Sequence, residues 1–235
     1  MSKKNNLWKF ENYEINYCEP YEDSFYKEVV ANFQKNTKKR LFYKFVKRAF
    51  DIVASLLALI LLSPLLLGIA IAIKLDSKGP VLFKQSRLGL HGKVFTIYKF
   101  RSMRIDAPHD KEPEDFANPE TFYTKLGGFL RKTSLDEFPQ FLNVLKGDMS
   151  FIGYRPALVN EEVSKQINGI RNDMGVFEMR PGISGYAQVI GRNDVYYKTK
   201  SLMDAYYVKN ASILMDLKLI FATVKVVLCR DGNNS

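Results

Sequence analysis

Residues 52–73 read IVASLLALILLSPLLLGIAIAI, a run of 22 amino acids without a charged side chain. Asp51 and Lys74 bracket this run. As one straight helix it would be about 33 Å long, which matches the roughly 30 Å hydrocarbon core of a bilayer. It begins well inside the chain and lacks a small-residue cleavage pattern, unlike a cleaved signal sequence. Length and composition therefore predict a membrane helix.

Two residues in the middle of this run predict a bend. Pro64 has no N–H to donate to the carbonyl of Ile60, and its ring pushes that carbonyl aside, so a kink or break is expected there. The hydroxyl of Ser63 could bond the freed carbonyl, because unpaired backbone groups are costly in lipid.

Basic residues flank the run on both sides. They are Lys38, Lys39, Arg40, Lys44, Lys47 and Arg48 before it, and Lys74, Lys78, Lys84 and Arg87 after it. The positive-inside rule places both flanks on the cytoplasmic face of a membrane. A re-entrant hairpin that enters and leaves by one face satisfies both the bend and the charges. A proline-kinked span is the alternative that these features leave open.

The whole chain carries a formal charge of +10, from 35 Lys and Arg against 25 Asp and Glu. Such a surplus suits a polyanionic partner, either nucleic acid, an anionic membrane surface or a phosphorylated small molecule. No recognised nucleic-acid-binding module is present, so we expect no nucleic-acid partner. The two cysteines lie near opposite ends and only two histidines occur, so neither disulfides nor a zinc site is indicated.

The remaining segments predict an α+β fold that is mostly helical. Residues 80–101 have the β-branched and aromatic residues of a hairpin. Residues 105–120 and the glycine-rich residues 180–192 predict surface loops. Residues 157–177 predict a polar helix. Residues 200–229 predict one long helix that could pack on a domain or lie in the membrane interface.

These segments suggest three parts. They are an N-terminal extension at residues 1–40, a membrane-associated helix hairpin at residues 41–78 that starts with an interfacial amphipathic helix, and a cytoplasmic catalytic domain at residues 79–235.

The stretch RKTSLDEFPQ, residues 131–140, contains the adjacent acids Asp136 and Glu137. Ser134 and Glu137 have the spacing of a helix capping box, and acids are favoured in a first helical turn, so a purely structural role is a strong alternative. Pro139 is awkward inside such a helix, because it lacks a donor. An irregular backbone is therefore predicted, which could turn both carboxylates toward one pocket.

Several arginines are placed to bind phosphate. Arg131 lies five residues before Asp136, whereas Arg155, Arg180 and Arg192 lie beside Pro or Gly. Arginines in such loops suit bidentate phosphate binding. The alternative is a solvated basic face or contacts with anionic lipid headgroups.

Four long motifs occur in the order found in bacterial sugar transferases, the monotopic phosphoglycosyl transferases of surface-polysaccharide and glycoconjugate pathways. They are KRAFDIVASLLALILLSPLLLGIAIAIK, GPVLFKQSRLGLHGKVFTIYKFRSM, LRKTSLDEFPQFLNVLKGDMSFIGYRP and RPGISGYAQVIGR. The resemblance covers roughly residues 41–230 and is closest to the short form of the family, a catalytic domain without a preceding bundle of membrane helices.

This resemblance implies transfer of a sugar-1-phosphate from a UDP-sugar to polyprenol (undecaprenyl) phosphate, with release of UMP, at the cytoplasmic face of the inner membrane. It implies that Asp136 is the nucleophile that forms a phosphosugar-enzyme intermediate, and that Glu137 is its partner acid, the pair working with Mg²⁺. Arg131, Arg155 and Arg192 match family arginines, and Ser63 and Pro64 match the family's helix-breaking pair. Anionic membrane lipids are further expected partners, and a homo-oligomer is compatible with the sequence.

The chain departs from the family pattern at a few positions. Tyr154 replaces the proline that usually precedes Arg155, and Phe138 and Phe141 replace leucines. A non-catalytic, basic, membrane-anchored scaffold is the alternative function, and it would need neither the acid pair nor Mg²⁺.

Overall fold

The computed structural model of the chain describes residues 7–34, 40–108, 118–159, 162–190 and 195–229. The strands are β1 (Leu7–Phe10), β2 (Tyr13–Asn16), β3 (Leu82–Leu88), β4 (Val94–Phe100), β5 (Ser150–Ile152) and β6 (Gly182–Ser184). The helices are α1 (Asp23–Asn32), α2 (Leu41–Leu61), α3 (Ser63–Asp76), α4 (Lys125–Lys132), α5 (Gln140–Lys146), α6 (Glu162–Asp173), α7 (Tyr186–Ile190), α8 (Tyr197–Asn210) and α9 (Ile213–Cys229). The expected mostly helical architecture with a small hairpin is confirmed.

Helices α2 and α3 meet at a bend of 62°. The hydroxyl of Ser63 donates to the carbonyl of Ile60 at 2.7 Å, which is the carbonyl that Pro64 cannot satisfy. The predicted break and its hydrogen bond are therefore both confirmed. Across the described residues, no helix taken singly has the length and apolarity to cross a bilayer, whereas α2 and α3 together do.

Polar residues on one face of α2 attach this helix to the rest of the protein. Arg48 donates to the carbonyls of Val144 and Leu145 at the C-terminal end of α5, at 2.6 and 3.0 Å. Asp51 is buried and accepts hydrogen bonds from the Ser150 hydroxyl and the Phe151 N–H. Because these groups are paired, α2 can be buried along its polar face while its other face stays apolar and exposed.

The hairpin of β3 and β4 confirms the prediction for residues 80–101. Its antiparallel register runs from Leu82 opposite Phe100 to Leu88 opposite Val94. The buried amide of Asn143 on α5 accepts from the N–H of Tyr98 and donates to the carbonyl of Thr96. These two bonds fix β4 against α5, which ends at Gly147 in a left-handed conformation.

The N-terminal residues are part of the main core. Trp8, Phe10 and Ile15 on the β1–β2 hairpin are buried in one cluster with Tyr154 and Leu202. Burial of such large side chains contributes on the order of 2 kcal/mol each. The polar and aromatic composition of this segment gave no sign of the β1–β2 hairpin.

The predicted single helix over residues 200–229 is wrong, because α8 ends at Asn210 and α9 begins at Ile213. Arg40 explains the interruption: its guanidinium donates to the carbonyls of Val208, Lys209 and Ala211, which substitutes for further helical bonds. Ser212 then starts α9 by accepting the N–H of Met215 on its hydroxyl. Helix α9 packs on the domain through the buried Leu219, while another part of its apolar surface is exposed; the exposed residues include Leu214, Leu217, Phe221 and Val224.

The glycine-rich segment at residues 180–192 is more regular than a loop, because it contains β6 and α7. Strand β6 lies parallel to β5, with Gly182 opposite Ser150. A Cβ at Gly182 would lie 2.1 Å from the N atom of Gly153, so glycine is required for this close approach of two backbones.

Candidate active site

The stretch that carries the adjacent acids has an irregular backbone. Ser134 follows α4 with a left-handed φ of 55°, and Leu135–Glu137 form one turn of 3₁₀ helix. The Ser134 side chain makes no capping hydrogen bond, so the capping-box interpretation is wrong. Pro139 immediately precedes the first residue of α5, where a proline removes no hydrogen bond that the helix needs. The proline thus permits the irregular turn that was predicted.

Asp136 is buried with only 5% of its surface exposed. Among the described residues, none forms a hydrogen bond or an ion pair with its carboxylate. Burial raises its pKa to about 6, against the opposing field of Lys99. A buried carboxyl group with a raised pKa and no structural partner is typical of a functional group rather than a structural one.

Glu137 has the opposite electrostatic environment. Its Oε1 accepts a hydrogen bond from Lys99 Nζ at 2.8 Å, and Arg155 Nη1 lies 3.6 Å from the same atom. Burial opposes its ionisation, but the positive charges of Lys99 and Arg155 outweigh burial and lower its pKa to about 2. Asp136 and Glu137, the carboxylate pair, therefore combine one acid whose ionised form is strongly favoured with one whose ionisation is disfavoured by burial.

Lys99 is a site residue that the sequence prediction placed only in the basic hairpin. It lies on β4 two residues after Ile97, which is 3% exposed, so both side chains lie on the same face of the strand. A lysine at an inward-facing position of a strand is the signal that could have identified it, because lysine is almost never buried unless paired.

Arg131 lies in the last turn of α4, with its guanidinium 5.1 Å from the centre of the Tyr123 ring. Its positive charge lowers the pKa of both Asp136 and Glu137, after the larger effects of burial and Lys99. The structure therefore places the charge of Arg131 close to the carboxylate pair, and phosphate binding by Arg131 stays a prediction.

Arg155 also reaches the pair, and its side chain is 40% exposed. The residues on either side of it are fixed. Tyr154 is completely buried, with its ring 5.6 Å from that of Phe177, and Arg87 donates to the carbonyl of Pro156 at 2.9 Å. Tyr154 therefore anchors the loop by packing where the family usually has a proline.

The two remaining predicted arginines are not brought to the pair by any described contact. Arg180 donates to the carbonyl of Gly147 at 2.7 Å, at the C-terminal end of α5. Burial lowers the pKa of Arg48, and the nearby charge of Arg180 lowers it further. Arg192 lies outside the described residues. Phosphate binding by either residue stays a prediction.

A shallow cleft opens beside Glu137. Hairpin residues, the start of α5, the Arg155 loop and the glycine-rich segment all contribute to its walls, which include Lys99, Gln140, Arg155, Gly182 and Ile183. The cleft therefore combines fixed positive charges with backbone from the glycine-rich segment, an arrangement suited to a phosphorylated ligand.

The carboxylate pair fits a divalent cation of the magnesium type. In the part of the chain that the structure describes, no group of three or more Asp, Glu, His or Cys side chains could hold a metal ion. Mg²⁺ commonly binds through one or two carboxylates and completes its shell with water and substrate phosphate oxygens. The unpartnered carboxylate of Asp136 is a suitable donor for such a site.

Comparison with known proteins agrees with a site for a phosphorylated ligand. The family model described as bacterial sugar transferase matches residues 42–230. The undecaprenyl-phosphate galactose phosphotransferase of Salmonella typhimurium is 40% identical over 219 residues, which are 87% of this chain and 44% of that protein. The UDP-glucose:undecaprenyl-phosphate glucose-1-phosphate transferase of Escherichia coli is 43% identical over 188 residues, 77% of this chain and 40% of that protein.

The chain thus spans less than half the length of these two relatives. The exopolysaccharide production protein PSS of Rhizobium leguminosarum is 42% identical over 196 residues, and there the match includes 79% of this chain and 96% of the relative. The region of similarity contains the carboxylate pair, Lys99, Arg131 and Arg155.

Proposed function

The chain belongs to the bacterial sugar transferase family, and we propose that it transfers a sugar-1-phosphate from a UDP-sugar to polyprenol phosphate and releases UMP. The names of its relatives support this reaction, since they pair undecaprenyl phosphate with glucose in one protein and with galactose in another. The cleft with its fixed cations supports a diphosphate donor.

One observation carries the proposal: Asp136 is buried beside several cations, yet its carboxylate has no partner among the described residues. A structural acid in this position would use the nearby charges, as Glu137 does with Lys99. Burial of an unpaired carboxylate costs stability, and such a cost persists where function requires the group.

In the proposed first step, a carboxylate oxygen of Asp136 attacks the phosphorus that bears the sugar. A bond forms between that oxygen and phosphorus, and the bond from phosphorus to the oxygen bridging the two phosphates breaks. The bridging oxygen and its electron pair leave with UMP. The product is an aspartyl phosphosugar, and the nucleophile must be ionised to form it.

The surrounding cations remove the repulsion that an anionic nucleophile would meet at a diphosphate. Arg131 and Arg155 are the residues near the pair best suited to contact phosphate oxygens, because guanidinium groups bind them in a bidentate way. Lys99 keeps Glu137 ionised and positioned through its hydrogen bond. These charges are fixed before the substrate binds, which is what electrostatic catalysis requires.

Asp136 and Glu137 are the residues that would hold Mg²⁺. When bound, Mg²⁺ would supply neutralisation of charge on the phosphate oxygens. Glu137 is suited to this role because its pKa of about 2 keeps it ionised at physiological pH.

In the proposed second step, an oxygen of polyprenol phosphate attacks the phosphosugar on Asp136. A new phosphorus–oxygen bond forms to the acceptor, and the bond between phosphorus and Asp136 breaks, which regenerates the carboxylate. The acceptor is embedded in a membrane, so the site must lie at the membrane surface.

We place the protein at the cytoplasmic face of the bacterial inner membrane, with α2 and α3 forming a re-entrant hairpin. The 62° bend and the exposed apolar residues of α2 support this arrangement. Among the latter are Val53, Leu56, Leu57, Ile60 and Leu61. The basic flanks of the hairpin would contact anionic headgroups on that face.

The experiment that tests the proposed reaction measures UMP release from a panel of UDP-sugars, with undecaprenyl phosphate and Mg²⁺ in lipid nanodiscs. We expect release with one or a few of the sugars and formation of the corresponding lipid diphosphate sugar. A non-catalytic scaffold would release no UMP from any of them, and that result would overturn the proposal.

A further inference from the structure

An apolar groove lies between α2 and α9, away from the carboxylate pair. Its volume is about 440 Å³ including its open side, and its walls are formed by Phe50, Phe151, Ile213, Leu217 and Ile220. Phe50 and Leu217 are 45% and 42% exposed, so the groove opens between exposed apolar faces of the two helices.

The polar residues at the groove are paired with one another or with the backbone. Asp216 accepts hydrogen bonds from Tyr43, Lys47 and Tyr207 at 2.9, 2.8 and 2.6 Å. Asp51 accepts from Ser150 and Phe151. An apolar occupant would therefore leave these charges with their partners, and the groove does not need a polar ligand.

A row of aromatic rings leads from this groove to the 3₁₀ turn that carries the carboxylate pair. The ring of Phe50 lies 5.8 Å from that of Phe151, which lies 5.5 Å from Phe141, which lies 5.6 Å from Phe138. Phe138 directly follows Glu137 in the chain. Phe138, Phe141 and Phe151 are half-buried, so the row is accessible along its length. We call these four residues the phenylalanine row.

We propose that the phenylalanine row and the groove bind the isoprenoid chain of the acceptor, with its phosphate at the carboxylate pair. This inference rests on the proposed function. It extends the proposed function by assigning Phe138 and Phe141 to the isoprene units next to the phosphate, and the groove to units farther along the chain, beyond the reach of a short prenyl phosphate. The row offers apolar, polarisable ring surfaces that suit a branched, unsaturated chain. Its continuity with the carboxylate pair favours a ligand that has an apolar chain attached to the reacting phosphate.

A phospholipid acyl chain is the competing occupant of the same groove. A phospholipid has no group that reacts at Asp136. Binding of its acyl chain would therefore not explain why the row extends from the groove toward the turn that carries Glu137. The two occupants differ in their kinetic consequences, because only an acceptor chain couples the groove to the affinity for acceptor.

The test compares two groove variants with a control on the same helix. Phe50→Ala removes one end of the row, and Leu217→Trp fills the groove from an exposed position that tolerates a larger side chain. Phe45→Ala is the matched control, because Phe45 is a 73% exposed phenylalanine of α2 that does not line the groove. All are assayed in nanodiscs of fixed phosphatidylglycerol content, with undecaprenyl phosphate and with a short prenyl phosphate as alternative acceptors.

We expect Phe50→Ala and Leu217→Trp to raise the KM for undecaprenyl phosphate roughly five- to tenfold, the effect of losing one buried apolar contact. The KM for the short acceptor and the KM of Phe45→Ala should stay unchanged. An unchanged KM for undecaprenyl phosphate in both groove variants would overturn the inference, and so would an equal rise for both acceptors. Altered nanodisc retention without a KM change would assign the groove to phospholipid instead.

Exchange of labelled UMP into the UDP-sugar, measured without acceptor, separates this inference from the proposed function. Exchange reports only the donor half of the reaction, so it should persist in all three variants. Absence of exchange in the unmodified protein would contradict the proposed function, and it would also contradict the inference, which rests on that function. Normal exchange with unaltered acceptor kinetics would overturn the inference alone.

Discussion

Lys99 Nζ on β4 lies 2.8 Å from Oε1 of Glu137, the second residue of the carboxylate pair. This contact joins the hairpin to the 3₁₀ turn and divides the pair into two electrostatic states. Glu137 is paired and has a pKa of about 2, whereas Asp136 lacks a partner in the described chain and has a pKa raised to about 6 by burial. The two pKa values differ because Lys99 forms its hydrogen bond with Glu137 and not with Asp136.

Replacement of Lys99 by Gln should lower the rate of UMP release about a hundredfold, the usual cost of losing one preorganised charged donor. Lys99→Arg should recover part of the loss, because it keeps the charge at a different geometry. The measurement is UMP release under saturating UDP-sugar, with circular dichroism to confirm folding. Activity of Lys99→Gln within twofold of the unmodified protein would contradict the role given to this residue.

Asp136→Asn should stabilise the metal-free protein at neutral pH. The ordinary pKa of this carboxyl is 3.8 and its folded value is about 6, so the folded state disfavours the ionised form. The resulting penalty develops as pH rises from 3.8 to 6 and reaches up to about 3 kcal/mol above pH 6. Denaturant unfolding in EDTA at pH 7.5 and pH 4 measures it. We expect the free energy of unfolding of Asp136→Asn to exceed that of the unmodified protein at pH 7.5, and this difference to be largely lost at pH 4.

Glu137→Gln should act in the opposite direction. The pKa of Glu137 is lowered from 4.5 to about 2, so its ionised form stabilises the fold above pH 4.5 and this stabilisation is lost as pH falls toward 2. The same unfolding measurement at pH 7.5 should show a loss of stability, because the substitution leaves Lys99 without its carboxylate partner. A gain in stability for Glu137→Gln would show that the electrostatic assignment of the pair is reversed.

The re-entrant hairpin predicts that both termini lie on the same side of a membrane. Epitope tags at the two ends should both be protected from protease in sealed right-side-out vesicles. Both should be digested in sealed inside-out vesicles. Pro64→Leu combined with Ser63→Ala removes the helix-breaking residues and should shift part of the population to a continuous span. Termini on opposite sides in the unmodified protein would favour the proline-kinked span.

Local chemistry made some of the structure predictable from sequence. Pro64 dictates which carbonyl loses its donor, and Ser63 is close enough in sequence to replace it, so the bend and its hydrogen bond could both be anticipated. Gly147 ends α5 because glycine readily adopts the left-handed conformation. Asp136 and Glu137 were identified through the family motif, since their residue types alone fitted a capping box equally well.

The features that were missed depend on residues distant in sequence. Arg40 interrupts the C-terminal helix from just before α2, and its contacts with the carbonyls near residue 210 cannot be read from the local sequence. Lys99 meets Glu137 only because Asn143 fixes β4 against α5. Tertiary contacts of this kind override local patterns, which is why the site's electrostatics required coordinates.

The most direct test of the account is detection of the covalent adduct. The protein in nanodiscs is incubated with its UDP-sugar and Mg²⁺ but no acceptor, then analysed by intact mass spectrometry and peptide mapping. We predict a mass increase of one sugar phosphate on the peptide that contains Asp136, removal of this adduct by added undecaprenyl phosphate, and no adduct in Asp136→Asn. An adduct on another residue, or undiminished UMP release by Asp136→Asn, would contradict the assignment of Asp136 as the nucleophile.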